Sequence, residues 1–589
     1  MQDINALAFD LTKEWCDQLI AMQITDRTAK GVYGGILCEA CGYIHGRIGD
    51  AVYPMMALYA RTGEEKYLTS AQLLLNWTHH NAFRNKGYLV NDSFNTWRGT
   101  TLFFVISLAE TFLDYGEFIP ESQRDAWMEM LLRAAHAAKI DPLFAPGSGG
   151  AGAANYPIAY PAAMALMYKV TGEDQWLQCA AAREAHVLSF ITPDGWIYGE
   201  SGGKFVSENG CRNIDLGYNV EESITHLALY GKIADRPQFT RVAVELLRRH
   251  AEFMLPDGAW DNTWGSRAVK WTYYGSRTSD GCLPACSLLQ DEDPLFAELA
   301  LRNTQLLRRM THDHLLTGGF MYPQAGYAAC AHHSFCHAKA TAYLLRHPIR
   351  ETTRRMSIPR ESAQGVQEVR EAGVTLIAKG KWRATLQNHD YRMQAGQEVT
   401  GGAITLMFHR DIGTVLVGNG VKLGIPEVTN MQIPRDMEDI CQTVRLQSGE
   451  FTSQYCKNAV VTVRETEDAI LYTAQGRLTD ASGVQQGGYT LQYGFYANDV
   501  VSIQAQCSQD ALLWLPVVCP PDQQVIRARG VLCFAAGQHL VRIGTHAQTR
   551  WAEGYEQDRI FNPTGGFCCL PLQVEVPANR RVMVNLGVE

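Results

Sequence analysis

Several patterns that this chain lacks narrow the field before any residue is singled out. None of its 589 residues forms part of an unbroken apolar run long enough to span a bilayer, so no membrane partner is expected. A formal charge of -9 with no dense lysine and arginine stripe provides no phosphate-tracking surface, and nucleic acid is excluded as a partner on that ground. The 16 cysteines are irregularly spaced in a chain large enough to have ample core. They therefore read as thiols of a reducing compartment rather than a disulfide framework. The opening stretch MQDINALAFDLTKEWCDQLIAM lacks the basic start, apolar centre and small-residue cleavage site of a secretory leader. The expected location is cytoplasmic, with the periplasm as the alternative for a chain trimmed of its leader.

A chain of this length exceeds what one hydrophobic core supports and should divide in two. From 46 to about 346 a two-helix unit recurs. Tyr59 to Tyr67 and Tyr168 to Trp176 each end one apolar helix, turn at Thr62-Gly63 or Thr171-Gly172, and open the next with acidic residues. First helices start near Arg47, Trp97, Asn155, Asn219, Ser279 and His333, a spacing of about 50 to 60 residues that suits stacked helical hairpins. Six hairpins suffice to close a ring; an open solenoid is the alternative. After about Arg350 the pattern becomes short alternating runs, such as Val374 to Ala378 and Ala403 to Phe408, separated by Gly, Asn and Asp turns. The expected fold is α+β multidomain: an (α/α) toroid over 1–350, a linker over about 346–364, and an antiparallel β-sandwich over 365–589.

In a ring of hairpins the loops leading into the inner helices crowd at one end of a central cavity, so their polar residues belong together. They carry Cys38, Cys41, His45, Arg47, Asp50, Asn91, Asn95, Trp97, Arg98, Asn155, Tyr156, Asn219, Glu221, Glu222, a dense group from Asp261 to Asp280, and His332, His333 and His337. Aromatic faces among Asn, Arg and acids suit a sugar ring, its hydroxyls and a carboxylate. Trp97, Trp264 and Trp271 are candidate platforms, each with a buried corner residue as the plainer reading. Tyr273 or Tyr274 with Arg277 forms a candidate acid/base unit, because a neighbouring cation favours the phenolate. An amide at an inner-helix start, Asn155, can stabilise enolate-like charge beside a carboxylate; a simple helix cap is its alternative. His333 and His337 share one helix face and suit either proton transfer or a metal without an identifiable third ligand. Cys38-x-x-Cys41-x-x-x-His45 has ligand-like spacing but no visible complement, which favours a structural role.

The hairpins with Asn155, the Tyr273, Tyr274 and Arg277 cluster and His333, followed by strands containing Gly401 to His409 and Pro426 to Gln432, resemble toroid-plus-β-sheet polysaccharide lyases of the heparinase II/III and alginate-lyase kind. The resemblance implies β-elimination at uronic acid residues. In such families an Asn, often beside a His, neutralises the carboxylate, a Tyr or His takes the C5 proton, and a Tyr protonates the leaving oxygen. Carried over, Asn155 neutralises, Tyr273 or Tyr274 serves as acid, Arg277 holds the carboxylate or tunes the phenol, and His333 comes from another hairpin. Asn155 is followed here by Tyr156 where a His is usual. Trp97, Arg98, Tyr156, Glu222, Trp264, Trp271 and His337 would line the sugar, with His409 or Asn430 at the rim.

The expected partner is an acidic oligosaccharide or polysaccharide, short and imported if the location is cytoplasmic; a homodimer is one open assembly. The elimination requires no cofactor, and zinc remains the one metal worth testing. Two rival functions stand beside it. A glycosidase of the unsaturated-uronyl-hydrolase kind would use Glu221, Glu222, Asp261 or Asp280 as its carboxylates. A non-catalytic glycan-binding protein would need the aromatic platforms alone.

Overall fold

The computed structural model describes residues 3–91, 97–144, 153–200, 202–350, 355–391, 399–418, 443–528, 530–553 and 559–589. Helix α1 (Ile4–Met22) is capped by Asp3, whose carboxylate accepts from Asn5 N at 2.8 Å. Then come α2 (Val52–Thr62), α3 (Glu65–Trp77), α4 (Thr100–Tyr115), α5 (Glu121–Ile140), α6 (Asn155–Thr171) and α7 (Asp174–Ala181). After these follow α8 (Ile224–Ile233), α9 (Pro237–His250), α10 (Leu283–Leu289), α11 (Leu295–Met310) and α12 (Ala331–Arg346). The Thr-Gly turns end α2 and α6 as the sequence predicts. Gly63 and Gly172 sit at φ 72° and 73° and return their N–H to Tyr59 and Tyr168 carbonyls at 2.8 Å, a left-handed cap that a side chain would strain.

The helices alternate in character because they alternate in position. Helix α4 is buried from Thr100 to Thr111, whereas α9 buries Phe239, Ala243, Leu246 and Leu247 and exposes Arg241, Glu245 and Arg248, the pattern of an inner and an outer helix. Inner helices α2, α4, α6, α8, α10 and α12 pack each on the next, and α12 returns to α2. The ring is therefore closed. Helices α3, α5, α7, α9 and α11 back the first five, and α1 backs α12, so the start of the chain closes the seam left by its last hairpin.

The β half begins at Gly365–Val369 and is antiparallel throughout its described strands. One layer runs from Gly365–Val369 through Val374–Lys379, Trp382–Gln387, Ala403–His409 and Gly413–Val417 to Ala511–Val518 and Phe567–Val576. The other runs from Val460–Glu465 through Ala469–Thr479, Gln485–Tyr496 and Val500–Cys507 to Arg581–Val588, His539–Thr545 and Val531–Ala536. Trp382, Ile404 and Leu515 from the first meet Tyr472, Leu491 and Ile503 from the second in one core, a sandwich.

Trp382–Gln387 and Ala403–His409 are buried at every position because the helical ring covers their second face. Ile404 and Met407 join the sandwich core while Leu406 and Phe408 join that of the ring. Asp261 accepts from Thr385, Thr263 donates to Thr405 at 2.9 Å, and Gln387 donates to the Trp264 carbonyl at 2.9 Å. The segment before the sandwich is pinned as well: buried Arg360 donates to Ala384 O at 3.0 Å and Thr385 Oγ1 at 2.8 Å. Glycines allow the backbones to touch at this seam, since a Cβ on Gly565 would lie 2.2 Å from the Trp271 ring.

Candidate active site

Asn155 opens α6 and is 1% exposed. Its amide donates to Glu222 at 2.5 Å and its backbone N–H to Glu200 at 2.8 Å. From there a closed circuit of contacts runs around one end of the ring. Glu222 lies 3.8 Å from Arg47, Arg47 donates to the Thr278 carbonyl at 2.5 Å, and Thr278 Oγ1 meets the Tyr218 hydroxyl at 2.6 Å. The Arg267 guanidinium lies over the Tyr218 ring at 4.9 Å and reaches Glu200 at 3.3 Å, which returns to Asn155. Lys270 donates to the Tyr218 hydroxyl at 3.1 Å from within the circuit. Four separate segments thus contribute one amide, one phenol and three cations to a single patch.

The buried acids of this patch carry structure. Arg47 donates to Asp280 and, at 2.8 Å, to Asp50, while Lys339 stands 3.5 Å from Asp280. Burial first and Asp280 second push the Glu222 carboxyl well above its ordinary range, against Arg47 and Asn155.

A second chain of contacts lies deeper. The Tyr274 hydroxyl meets His333 Nδ1 at 3.1 Å, His337 Nδ1 faces the His333 carbonyl at 3.0 Å, and His337 Nε2 faces Glu221 at 3.4 Å. Glu221 also accepts from Ser276 N at 2.7 Å and Ser279 Oγ at 2.5 Å. Burial, then Glu221, holds the Tyr274 phenol well above its ordinary value despite Arg277. Burial, then Arg277 and His337, holds His333 well below its own. Tyr274 is thus a protonated donor and His333 a neutral acceptor, the opposite of the expected phenolate, because desolvation outweighs one cation here. His337 is engaged at both ring nitrogens by these contacts, whereas His333 is engaged at Nδ1 and its buried Nε2 has no hydrogen-bond partner.

The remaining expected site residues fall elsewhere. Tyr273 donates to Asp257 at 2.8 Å and meets Thr414 of the sandwich at 3.0 Å. Arg277 donates to the Tyr322 hydroxyl and the Pro563 carbonyl. These two are docking groups of the domain seam, separate from Asn155. Trp264 packs on Phe253 at 4.7 Å, and Trp271 donates to the Trp260 carbonyl at 2.7 Å beneath Gly565; at 2% and 0% exposure neither offers a face to a sugar. Trp97 and Tyr156 do. Both are half-buried, with the Trp97 indole donating to the Tyr156 hydroxyl at 2.6 Å. Arg98, beside them, pairs with Asp141 at 3.1 Å and keeps 38% of its side chain exposed. His409 is buried on Trp382, away from any rim. Asn95 and Asn430 lie outside the described residues.

Tyr218 is the residue that sequence reading passed over. It stands one position before the noted Asn219, in the turn Leu216–Tyr218 capped by Asp215. Only the fold brings Lys270 and Thr278 to its hydroxyl, from more than fifty residues downstream for Lys270 and sixty for Thr278.

Comparison with known proteins adds an independent line. Residues 12–361 match the ulvan lyase N-terminal domain and residues 366–589 the ulvan lyase C-terminal domain. A broad-specificity ulvan lyase of Formosa agariphila is 30% identical over 598 residues, spanning 97% of this chain and 92% of that protein. The crystal structure of heparinase III shares the fold at a TM-score of 0.54 and 13% identity, over 91% of this chain and 75% of that one.

Proposed function

The chain belongs to the ulvan lyase family, and from that premise we propose that it cleaves ulvan or a closely related acidic glycan in the circuit built on Asn155 and Tyr218. It is a polysaccharide lyase, a carbon–oxygen lyase of uronic-acid glycans. Elimination breaks the C5–H bond of the uronate, forms the C4–C5 double bond, and breaks the bond from C4 to the glycosidic oxygen, which gains a proton. The protein must therefore neutralise the carboxylate, remove one proton and deliver another.

The observation that carries the reading is the environment of the Tyr218 hydroxyl, with Lys270 donating to it at 3.1 Å and the Arg267 guanidinium over its ring. A cation beside a phenol stabilises the negative charge its oxygen gains during proton transfer, so this group is placed to take the C5 proton and return it to the leaving oxygen. The Asn155 amide and Arg267 hold the carboxylate and the enolate-like charge that develops on it. Trp97 and Tyr156 offer half-exposed rings to the sugar, and Arg98 gives the mouth a cation for a second acidic residue. Hydrolysis needs a pair of carboxylates, and of the four candidates Glu221, Asp261 and Asp280 are each buried in ion pairs or hydrogen bonds, which leaves Glu222, on the Asn155 amide, without a second acid to work with.

The test is a panel of uronic-acid glycans, ulvan among them, followed by the ultraviolet absorbance of the conjugated unsaturated uronate alongside release of reducing ends. Both signals rising together on ulvan is the expected result. New ends without the absorbance would replace elimination by hydrolysis. Absorbance on other uronates but not on ulvan would overturn the substrate.

A further inference from the structure

Outside the cleft, the ring brings together three sulfurs that the sequence holds far apart. Cys38 and Cys41 lie in the loop between α1 and α2, and Cys330 is the residue immediately before α12. The Cys330 Sγ is 3.7 Å from the sulfurs of both Cys38 and Cys41, across 292 and 289 residues of chain, and all three atoms fall within 4.8 Å of one another. These distances are far beyond the about 2.05 Å of a disulfide. They match a tetrahedral metal centre, because zinc–sulfur bonds of about 2.3 Å set their sulfurs about 3.8 Å apart.

The local backbone is shaped for the same purpose. Gly42, at φ 77°, returns its N–H to the Cys38 carbonyl at 2.8 Å, and Cys38 N donates to Tyr43 O at 3.1 Å. This tight turn places the Cys38 and Cys41 side chains on one side, toward Cys330. A nitrogen stands ready as well. His45 is 1% exposed and neither of its ring nitrogens has a hydrogen-bond partner, a costly state for a buried imidazole. Its ring stacks between Tyr43 and His332, with centroids at 4.2 and 3.9 Å.

We propose that Cys38, Cys41 and Cys330 with His45 bind one structural zinc ion. Three sulfurs and one imidazole are a soft, closed donor set that suits zinc and excludes magnesium or calcium. The three sulfurs already lie within 4.8 Å of one another and His45 falls outside that group, so its ring must turn to complete the fourth position; a site closed in that way has no place for substrate, and the ion is a clasp. Its place gives it work to do. Helix α12 packs against both α1 and α2, and the ion ties the first loop of the ring to the start of its last inner helix. That is the seam where the ring closes. The same first turn carries His333, which meets Tyr274, so the clasp also fixes the floor beneath the cleft.

The test uses the full-length protein, purified without added chelator and analysed for metals. About one zinc per chain is expected. Exchange with cobalt should give an intense sulfur-to-cobalt charge-transfer band and the visible bands of a tetrahedral site. Cys41→Ser and Cys330→Ser should each bind cobalt at least about tenfold more weakly, while Cys211→Ser, at a distant buried thiol, leaves binding unchanged. If the serine variants do not fold, the wild-type metal content and cobalt spectrum decide alone. Wild-type protein with reduced thiols that holds only traces of metal and takes up no cobalt would overturn the proposal. So would a native Cys38–Cys330 or Cys41–Cys330 disulfide found by mass spectrometry. His45→Asn should weaken cobalt binding and shift the visible bands; an unmoved spectrum would remove His45 from the ligand set.

Discussion

The hydroxyls of Tyr218 and Thr278 meet at 2.6 Å, and Thr278 holds that contact from a left-handed backbone at φ 63°. A β-branched residue pays about 1 to 2 kcal/mol for that conformation. The neighbouring contacts explain why it persists. Arg47 donates to the Thr278 carbonyl, and Ser276 and Ser279 on either side are tied to Glu221. Strain of this kind, placed on the one residue that orients a phenol between two cations, ties the turn 276–280 to the chemistry of Tyr218 more closely than to the stability of the ring.

Tyr218→Phe should remove both the proton acceptor and the proton donor while leaving the ring in place. Turnover is expected to fall by about 10² to 10⁴, the range for loss of a general acid/base, with binding of an inert oligosaccharide largely unchanged by calorimetry. Tyr273→Phe in the same assay should keep most of its activity. Equal losses in both variants would return the assignment to the seam.

Thr278→Gly separates strain from function. Glycine accepts φ 63° freely, so the melting temperature should hold or rise by a few degrees, offset by glycine's extra freedom in the unfolded chain. Turnover should fall because the Tyr218 hydroxyl keeps Lys270 but loses the Thr278 hydroxyl that orients it. Thr278→Ser keeps the hydroxyl and should retain activity. A glycine variant as active as the parent would show that Thr278 orients nothing.

How much of this was legible in the sequence follows from what each feature depends on. Thr62-Gly63 and Thr171-Gly172 announced their turns because a left-handed cap is a local demand on one residue. The polar crowd at the inner-helix starts was legible for the same reason, since each start is set by its own hairpin. Which members of that crowd face the cleft was not. Trp271 and Trp97 look alike in sequence, yet one lies beneath Gly565 of the sandwich and the other keeps an open face. Tyr273 and Arg277 formed the densest cluster in the chain, and their density serves the docking of a second domain at Thr414 and Pro563. Cys38 and Cys41 lacked a complement only because Cys330 is brought to them by closure of the ring.

The seam reading of Tyr273 has its own consequence. Its hydroxyl donates to Asp257, whose half-buried carboxyl is pushed above its ordinary range by desolvation and held back by that bond. Tyr273→Phe leaves this half-buried acceptor without the phenol, a loss of about 1 kcal/mol. Denaturant unfolding should show the unfolding free energy lowered by that amount while the Michaelis constant stays near that of the parent. A raised Michaelis constant at unchanged stability would instead place Tyr273 against the substrate.

Glu110 supplies a pH-dependent term in the stability of the ring. It is buried on α4, 3.4 Å from Lys339, and burial pushes its carboxyl from 4.5 to about 7 against the pull of that lysine. Below about pH 4.5 the group is protonated in both the folded and the unfolded chain and favours neither. Between about 4.5 and 7 the unfolded chain gives up its proton while the folded chain keeps it, so the unfolded state gains and stability falls with rising pH. Above about 7 both forms are ionised and the loss, about 1 to 3 kcal/mol, is constant. Glu110→Gln keeps the shape and removes the titration. Unfolding measured from pH 4.5 to 8 should therefore show the variant gaining on the parent up to about pH 7 and running parallel above it. A constant difference across the whole range would mean that Lys339 keeps Glu110 ionised throughout, and the pair would then be a plain buried salt bridge bracing α4 against α12.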